Sequence, residues 1–181
     1  NKEEWEILRL SNIERHKAGE GLLTMIEPLQ AACDIREPEI AEIFSHTRPN
    51  GQNPFSAISD FSYSTAGENI YKCPAPGRAV SGANAMNSWM NSDGHRANIL
   101  KSGYDYIGTG AYDNETMGTA LQLFAGVNYP IVSVTTSSGK TSYIDEDEMQ
   151  KDYLICTAET GLVSYVPIDI EYMTKTEKGY T

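Results

Sequence analysis

Positive charge is scarce in this 181-residue chain. Lys and Arg number 14 against 25 Asp and Glu, a formal net charge of −11. A protein that grips nucleic acid needs a basic face to replace counterions, so that class is excluded, and so is adsorption to anionic lipid. Long apolar runs are absent too, and none approaches the roughly 20 residues that span a bilayer. Cysteine occurs three times, as Cys33, Cys73 and Cys156, without CxxC or zinc-ribbon spacing. An odd count leaves at least one thiol unpaired within the chain. One disulfide is open to the three thiols, in a pairing the sequence does not specify, but a disulfide scaffold is not. There is no GxSxG elbow, HExxH, P-loop or GxGxxG in strand–helix context. Internal repeats and low-complexity segments are likewise missing. The chain begins at Asn1 rather than Met, which reads as a processed or truncated form with any leader out of view.

What is present suits one ordinary domain with a small appendage. Forty per cent of the residues are hydrophobic, enough for a core. Residues 2–18 carry Trp5, Leu8 and Asn12 on one side at helical spacing, stopped by Gly19 and Gly21. In "EPLQAACDIREPEIAEIF", Pro28 suits a first helical turn, whereas Pro38 predicts a kink or a break and restart. "PNGQNP" is turn chemistry, "CPAPG" a rigid loop, and "RAVSGANAMNSWM" a helix with Val80, Ala83, Met86, Trp89 and Met90 in register. From Tyr106 the period changes. "YIGTGAY" and "TALQLFAGVNY" read as two antiparallel strands joined by "DNETMG", followed beyond Pro130 by shorter β-like runs. Helices followed by adjacent strands predict an α+β fold.

The residues able to do chemistry are few. His16 stands among Glu14, Arg15 and Lys17 on a charged helix and reads as solvated. His46 and His95 lie in loop-to-helix contexts, and "TAGENIY" holds Glu68 between a Gly that permits close approach and an Asn that bonds local backbone. A carboxylate in such a turn can orient an imidazole N–H. Two imidazoles and one carboxylate fit a divalent metal site with an open water position. They fit a structural hydrogen-bond network as well. Cys33 falls on the buried helix face, where a thiol packs as a small hydrophobe. "DEDE" at 145–148 lacks the spaced ligands and glycine of a calcium loop and reads as a solvated turn.

Six blocks in order, "LRLSNIERHKAG", "PLQAACDIR", "SHTRPNG", "AGENI", "WMNSDGHRANIL" and "YIGTGAY", resemble the bacterial branch of the CAP superfamily, the cysteine-rich secretory, antigen 5 and pathogenesis-related proteins. The resemblance covers about residues 4–128. It implies an α–β–α sandwich with a central antiparallel sheet and a cleft that in animal and plant members holds two His and two Glu. Carried over, His46 and His95 match the two histidines and Glu68 the first glutamate, while Ser92 stands where the second is expected. Arg48, Asn50 and Gly51 match the loop after the first histidine, with Arg48 structural or cleft-lining. Asn98 and Leu100 match as scaffold.

The resulting expectation is a CAP-like domain over 1–129 and a β-rich C-terminal extension over 130–181, secreted or displayed at a cell surface. The cleft of His46, Glu68, Ser92, His95 and Arg48 would bind a small ligand, or a divalent metal such as zinc through His46 and His95. Outer surfaces would meet a protein or cell-surface partner. A binding module is favoured over an enzyme; the competing reading is a peptidase-like hydrolase with His46, Glu68 and His95 as candidates. Further expectations are that Phe44 and Phe55 anchor the His46 loop in the core, that Trp89 and Met86 are core, and that Pro167 marks an edge strand or a split in one.

Overall fold

Helix α1 (Lys2–Lys17) begins at an Asn1 cap, whose side chain accepts from the N–H groups of Glu3 and Glu4 while Glu4 reaches back to the cap. The computed structural model describes residues 1–74, 80–114, 116–127, 129–173, 175–176 and 179–180; most of the expected "CPAPG" loop lies outside them. The face of α1 that points inward carries Ile7, Leu8, Ser11, Asn12 and Arg15. Arg15 is a charged residue at a core position, 1% exposed. Its guanidinium donates to the carbonyls of Gly21, Ile99, Lys101 and Tyr104, which satisfies four acceptors that burial would otherwise orphan.

Helix α2 (Glu27–Glu42) opens with Pro28 and buries Leu29, Ala32, Cys33, Arg36 and Ile40. The expected break at Pro38 does not occur: the helix runs through it. The ring removes one intrahelical hydrogen bond, but Arg36 and Ile40 on either side are fully buried and hold the turn in place. Helices α3 (Gly82–Met90) and α4 (Asp93–Ile99) follow.

The central sheet has the order β2 (Thr65–Pro74), β4 (Met117–Gly126), β3 (Tyr106–Asp113), β1 (Thr24–Met25), β7 (Val163–Pro167), β6 (Tyr153–Ala158), β5 (Ile131–Thr136). Strands β2 (Thr65–Pro74), β3 (Tyr106–Asp113) and β4 (Met117–Gly126) pair antiparallel, and the two-residue β1 (Thr24–Met25), which sequence pattern alone does not reveal, joins β3 in parallel. Alternation along β4 splits the core in two. Ala120 and Phe124 face α1, α3 and α4 with Trp89 and Met86, whereas Leu121, Leu123 and Ala125 face α2. The domain is thus an α+β sandwich with helices on both faces of its sheet. Fully burying each large side chain contributes about 1.5–3 kcal/mol. On the α2 side the fit is close enough to demand glycine: a Cβ at Gly108 would lie 2.3 Å from the Leu29 carbonyl oxygen.

Beyond Pro130 come β5 (Ile131–Thr136), a one-turn helix α5 (Glu146–Met149), β6 (Tyr153–Ala158) and β7 (Val163–Pro167). They extend the same sheet, with β7 meeting β1 at Met25 and Tyr165. The edge-strand expectation for Pro167 is corrected, because β7 lies between β1 and β6. Pro167 ends the strand, past its single contact with β1, where a missing donor costs nothing. "DEDE" forms the start of α5, capped by Asp145, and Glu148 pairs with Lys140.

Candidate functional site

The loop after α2 turns at Gly51, which has φ 81° and donates to the Arg48 carbonyl at 2.9 Å. This turn presents His46 with a largely open ring, its side chain 57% exposed. Across from it, β2 places Glu68 inside the protein. Gly67 makes that possible: a Cβ there would come within 2.2 Å of the Tyr104 hydroxyl. The Glu68 side chain, 2% exposed, meets His46 Nδ1 through Oε2 at 2.7 Å and accepts from Arg36 Nε through Oε1 at 2.9 Å. A carboxylate on that side orients the ring by accepting from Nδ1–H.

Asn69 and Asn98 tie the helix that carries the second histidine to the strand that carries Glu68. Asn69 Nδ2 donates to the His95 carbonyl at 3.1 Å, and Asn98 Nδ2 donates to Asn69 Oδ1 at 2.9 Å. This ties α4 to β2, so the residue after Glu68 fixes the helix that carries His95. Ser92 stands at the N-cap of α4, yet its hydroxyl caps no backbone N–H; it meets His95 Nδ1 at 2.8 Å instead. Burial, then the neighbouring His46, hold the His95 pKa below the ordinary imidazole value. His46 thus acts on His95 although 49 residues separate them in sequence. Each has its Nδ1 engaged, and among the described residues neither Nε2 has a protein partner.

Behind this pair stands a network that the sequence reading missed. Arg36, fully buried, donates to Glu68, to Glu39 at 2.7 Å and to the Ser45 carbonyl at 2.9 Å. Arg48 meets Glu39 at 2.8 Å and Ser56 at 3.0 Å. Arg48 thus braces the loop against α2. The Arg48 hydrogen bond, with help from Arg36, holds Glu39 below the usual carboxylate range. The signal for Arg36 was available, since it occupies the same helical face as Leu29, Ala32, Cys33 and Ile40.

Other placements sort cleanly. Trp89, 1% exposed, donates its indole N–H to the Ile70 carbonyl at 3.2 Å, and Met86 packs beside it in the core. Phe55 packs against the α2-side core. The matching expectation for Phe44 is corrected: it is exposed, with Lys72 Nζ 4.7 Å from its ring centroid, because the chain has already left the core at Ile43, which is exposed too. His16 is exposed beside Tyr172. All three cysteines are free; burial pushes the Cys33 thiol well up and leaves it inert.

For a metal, the chemistry on offer is two imidazole nitrogens. Glu68 is occupied by Arg36 and His46, Ser92 brings no charge, and among the described residues no cluster of three or more His, Cys, Asp or Glu is arranged to hold an ion. His46 and His95 would be the ligands, with water completing the shell, which fits a labile cation and not a structural ion.

Residues 8–129 match the family model described as "Cysteine-rich secretory protein family". A Bacillus subtilis protein described as "Uncharacterized protein YkwD" is 34% identical over 127 residues, 68% of this chain and 47% of its own. The chain thus spans about half the length of that curated relative. A Bacillus anthracis extracellular protein containing a SCP domain aligns with a TM-score of 0.60 at 26% identity, over 70% of this chain and 41% of that one. A crystal structure of NaASP2 with Zn2+ aligns with a TM-score of 0.55 at 11% identity over 68% of this chain and 79% of its own; at that identity the likeness is one of fold. No helix among the described residues is long and apolar enough to cross a membrane.

Proposed function

The chain belongs to the cysteine-rich secretory protein family, CAP, and from that premise we propose that it is a secreted or surface-displayed binding module. Its His46–Glu68–His95 cleft takes a small ligand or a divalent cation such as zinc, while outer surfaces meet a protein or cell-surface component. The domain boundary near residue 130 is part of the same reading: 1–129 form the binding domain, and β5, β6 and β7 of the 130–181 extension lengthen its sheet. The observation that carries the proposal is the state of the two imidazoles. Both Nδ1 atoms are engaged, by Glu68 and by Ser92, and among the described residues neither Nε2 meets a protein partner, so that each is open to a ligand in the tautomer that leaves it unprotonated.

Calorimetric zinc titration of the wild type, Glu68→Gln and His95→Ala tests this. The wild type should bind weakly and reversibly, and both variants more weakly, by about tenfold where an orienting partner is lost. Equal affinity in all three proteins, or stoichiometric zinc that survives chelator dialysis, rejects the reading. The alternative is a peptidase-like hydrolase using the same cleft, through a metal-activated water or a Ser–His pair, and the second form has the Ser92–His95 contact at 2.8 Å in its support. It requires a third group to orient His95 and an oxyanion donor pair, and neither accompanies that contact among the described residues. Cleavage of an unbiased peptide library by the wild type, lost in His95→Ala and retained in His16→Ala, would establish it.

A further inference from the structure

The family match begins at residue 8 and ends at 129. A cavity of about 360 Å³ lies almost entirely outside that stretch, between the first turns of α1 and the appended strands. Its walls include Trp5, Tyr153, Lys2, Lys151, Glu6 and Gln150. The volume falls in the range of small-molecule sites, and a junction between structural units is where such sites concentrate.

Two aromatic rings set its character. Trp5 and Tyr153 lie 5.8 Å apart between centroids with their planes 34° from parallel, and Tyr165 packs edge-on behind Tyr153 and fixes it. Both wall rings are only half-buried. The other tryptophan, Trp89, spends its indole N–H on Ile70; among the described residues the Trp5 indole N–H makes no hydrogen bond. An unspent donor beside two apolar ring faces is the chemistry of a site for an amphipathic ligand.

Charge narrows the ligand class. Lys2, Arg9 and Lys151 are balanced by Glu6, Asp152 and, behind Arg9, Asp169. Arg9 is committed, with two donors on Glu6 and one on Asp169. Asp152 is saturated by Ser137, Ser138, Tyr143 and the Tyr153 N–H. Neither an anion nor a cation therefore gains a net Coulombic attraction, and the chain's overall charge of −11 opposes anions further. What remains is a flat apolar surface ringed by donors from Lys2, Lys151 and the Trp5 indole and by acceptors from Glu6 and Gln150. A pyranose ring matches this pattern, with C–H groups on its faces and hydroxyls at its rim. We infer that this cavity is a second binding site, distinct from the His46 cleft, for an uncharged saccharide.

The test uses the whole chain and two probes, cellotriose and an uncharged β-1,4-linked N-acetylglucosamine trisaccharide. Because Trp89 is only 1% exposed, acrylamide quenching of tryptophan emission reports on Trp5. At least one trisaccharide should protect Trp5 saturably. Affinity should change by less than about twofold across a tenfold range of salt, as expected for an uncharged ligand. Tyr153→Leu, read by the same quenching, and Trp5→Leu, read by calorimetry, should each weaken it by about fivefold or more through lost ring contact. Should either variant fail to fold, the Trp5 indole resonance of the wild-type protein in the same titration decides the point. His46→Ala should bind as the wild type does, which separates this site from the cleft. Absence of saturable protection by both probes, loss of binding in His46→Ala, or stronger protection by benzoate or tetramethylammonium would overturn the inference.

Discussion

Replacing Arg36 with Met should be among the most damaging single changes near the cleft. The guanidinium is fully buried, and so, at 2% exposure, is the Glu68 side chain it meets at 2.9 Å. Arg36 also holds Glu39 at 2.7 Å and the Ser45 carbonyl at 2.9 Å. Methionine fills the volume of the stem but leaves Glu68 as a buried carboxylate with only a histidine beside it. Breaking a buried pair from one side costs about 3–5 kcal/mol, because the remaining charge keeps its desolvation penalty. For a domain of this size that corresponds to a fall in melting temperature of roughly 6–20 °C. Arg48→Met should cost less, about 1–2 kcal/mol, since Glu39 retains Arg36 and is itself partly exposed. Urea unfolding at neutral pH measures both variants. Repeating it under acid conditions, where carboxylates are protonated, should shrink the Arg36→Met penalty. The double variant Arg36→Met with Glu68→Gln should recover part of the loss. An Arg36→Met penalty below that of Arg48→Met, or one that grows on acidification, would refute the assignment of a charge-compensating role to Arg36.

Three further outcomes can be checked independently. Burial raises the Glu37 pKa to about 7, above its unfolded value. The folded state therefore holds the extra proton between the two pKa values, and stability falls as pH rises through that window. Glu37→Gln, which keeps an acceptor for the Ala111 N–H at 2.7 Å, should flatten that slope and stabilise the protein at pH 8 by roughly 1 kcal/mol once screening at this half-buried site is allowed for; an unchanged slope in urea unfolding at several pH values would contradict it. His46→Ala removes one of the two influences that depress His95, so the His95 pKa, followed by NMR titration, should move up toward the ordinary imidazole value, and a downward shift would show that the rings do not share a field. Gly108→Ala forces a Cβ against the Leu29 carbonyl on the packed face of α2 and should cost about 1–3 kcal/mol, measurable as a lower urea midpoint.

Much of the scaffold was legible because periodicity reports burial. α1, α3 and the β3–β4 pair follow from the spacing of Leu8, Trp89 and Phe124 and their neighbours. The pairing of His46 with Glu68 was legible in the ordered blocks, and the Gly67 that admits Tyr104 explains one of them physically. Arg36 and Arg15 were missed for a shared reason. Each is a charged residue at a core position, and the partners that tie it to other elements, Glu68 for Arg36 and the carbonyls of Ile99, Lys101 and Tyr104 for Arg15, lie far off in sequence, where local pattern carries no information. A charge in register with Leu29, Ala32 and Ile40 is itself a readable sign of a buried ion pair. Pro38 misled in the opposite direction, because the local cost of a proline was outweighed by tertiary packing on both sides of it. β1 was invisible, since two residues have no period.

Arg15 has a consequence for how the cleft can be taken apart. A helix of seven residues does not hold its shape alone in water, and α4, which carries His95, has that length. Its last carbonyl and those just after it are gripped by a guanidinium from α1. One wall of the cleft is therefore hung from a residue 80 positions earlier in the chain. A peptide or minimal fragment spanning residues 46–95 would contain both histidines and Glu68, and it would still lack the anchor that gives His95 a fixed address.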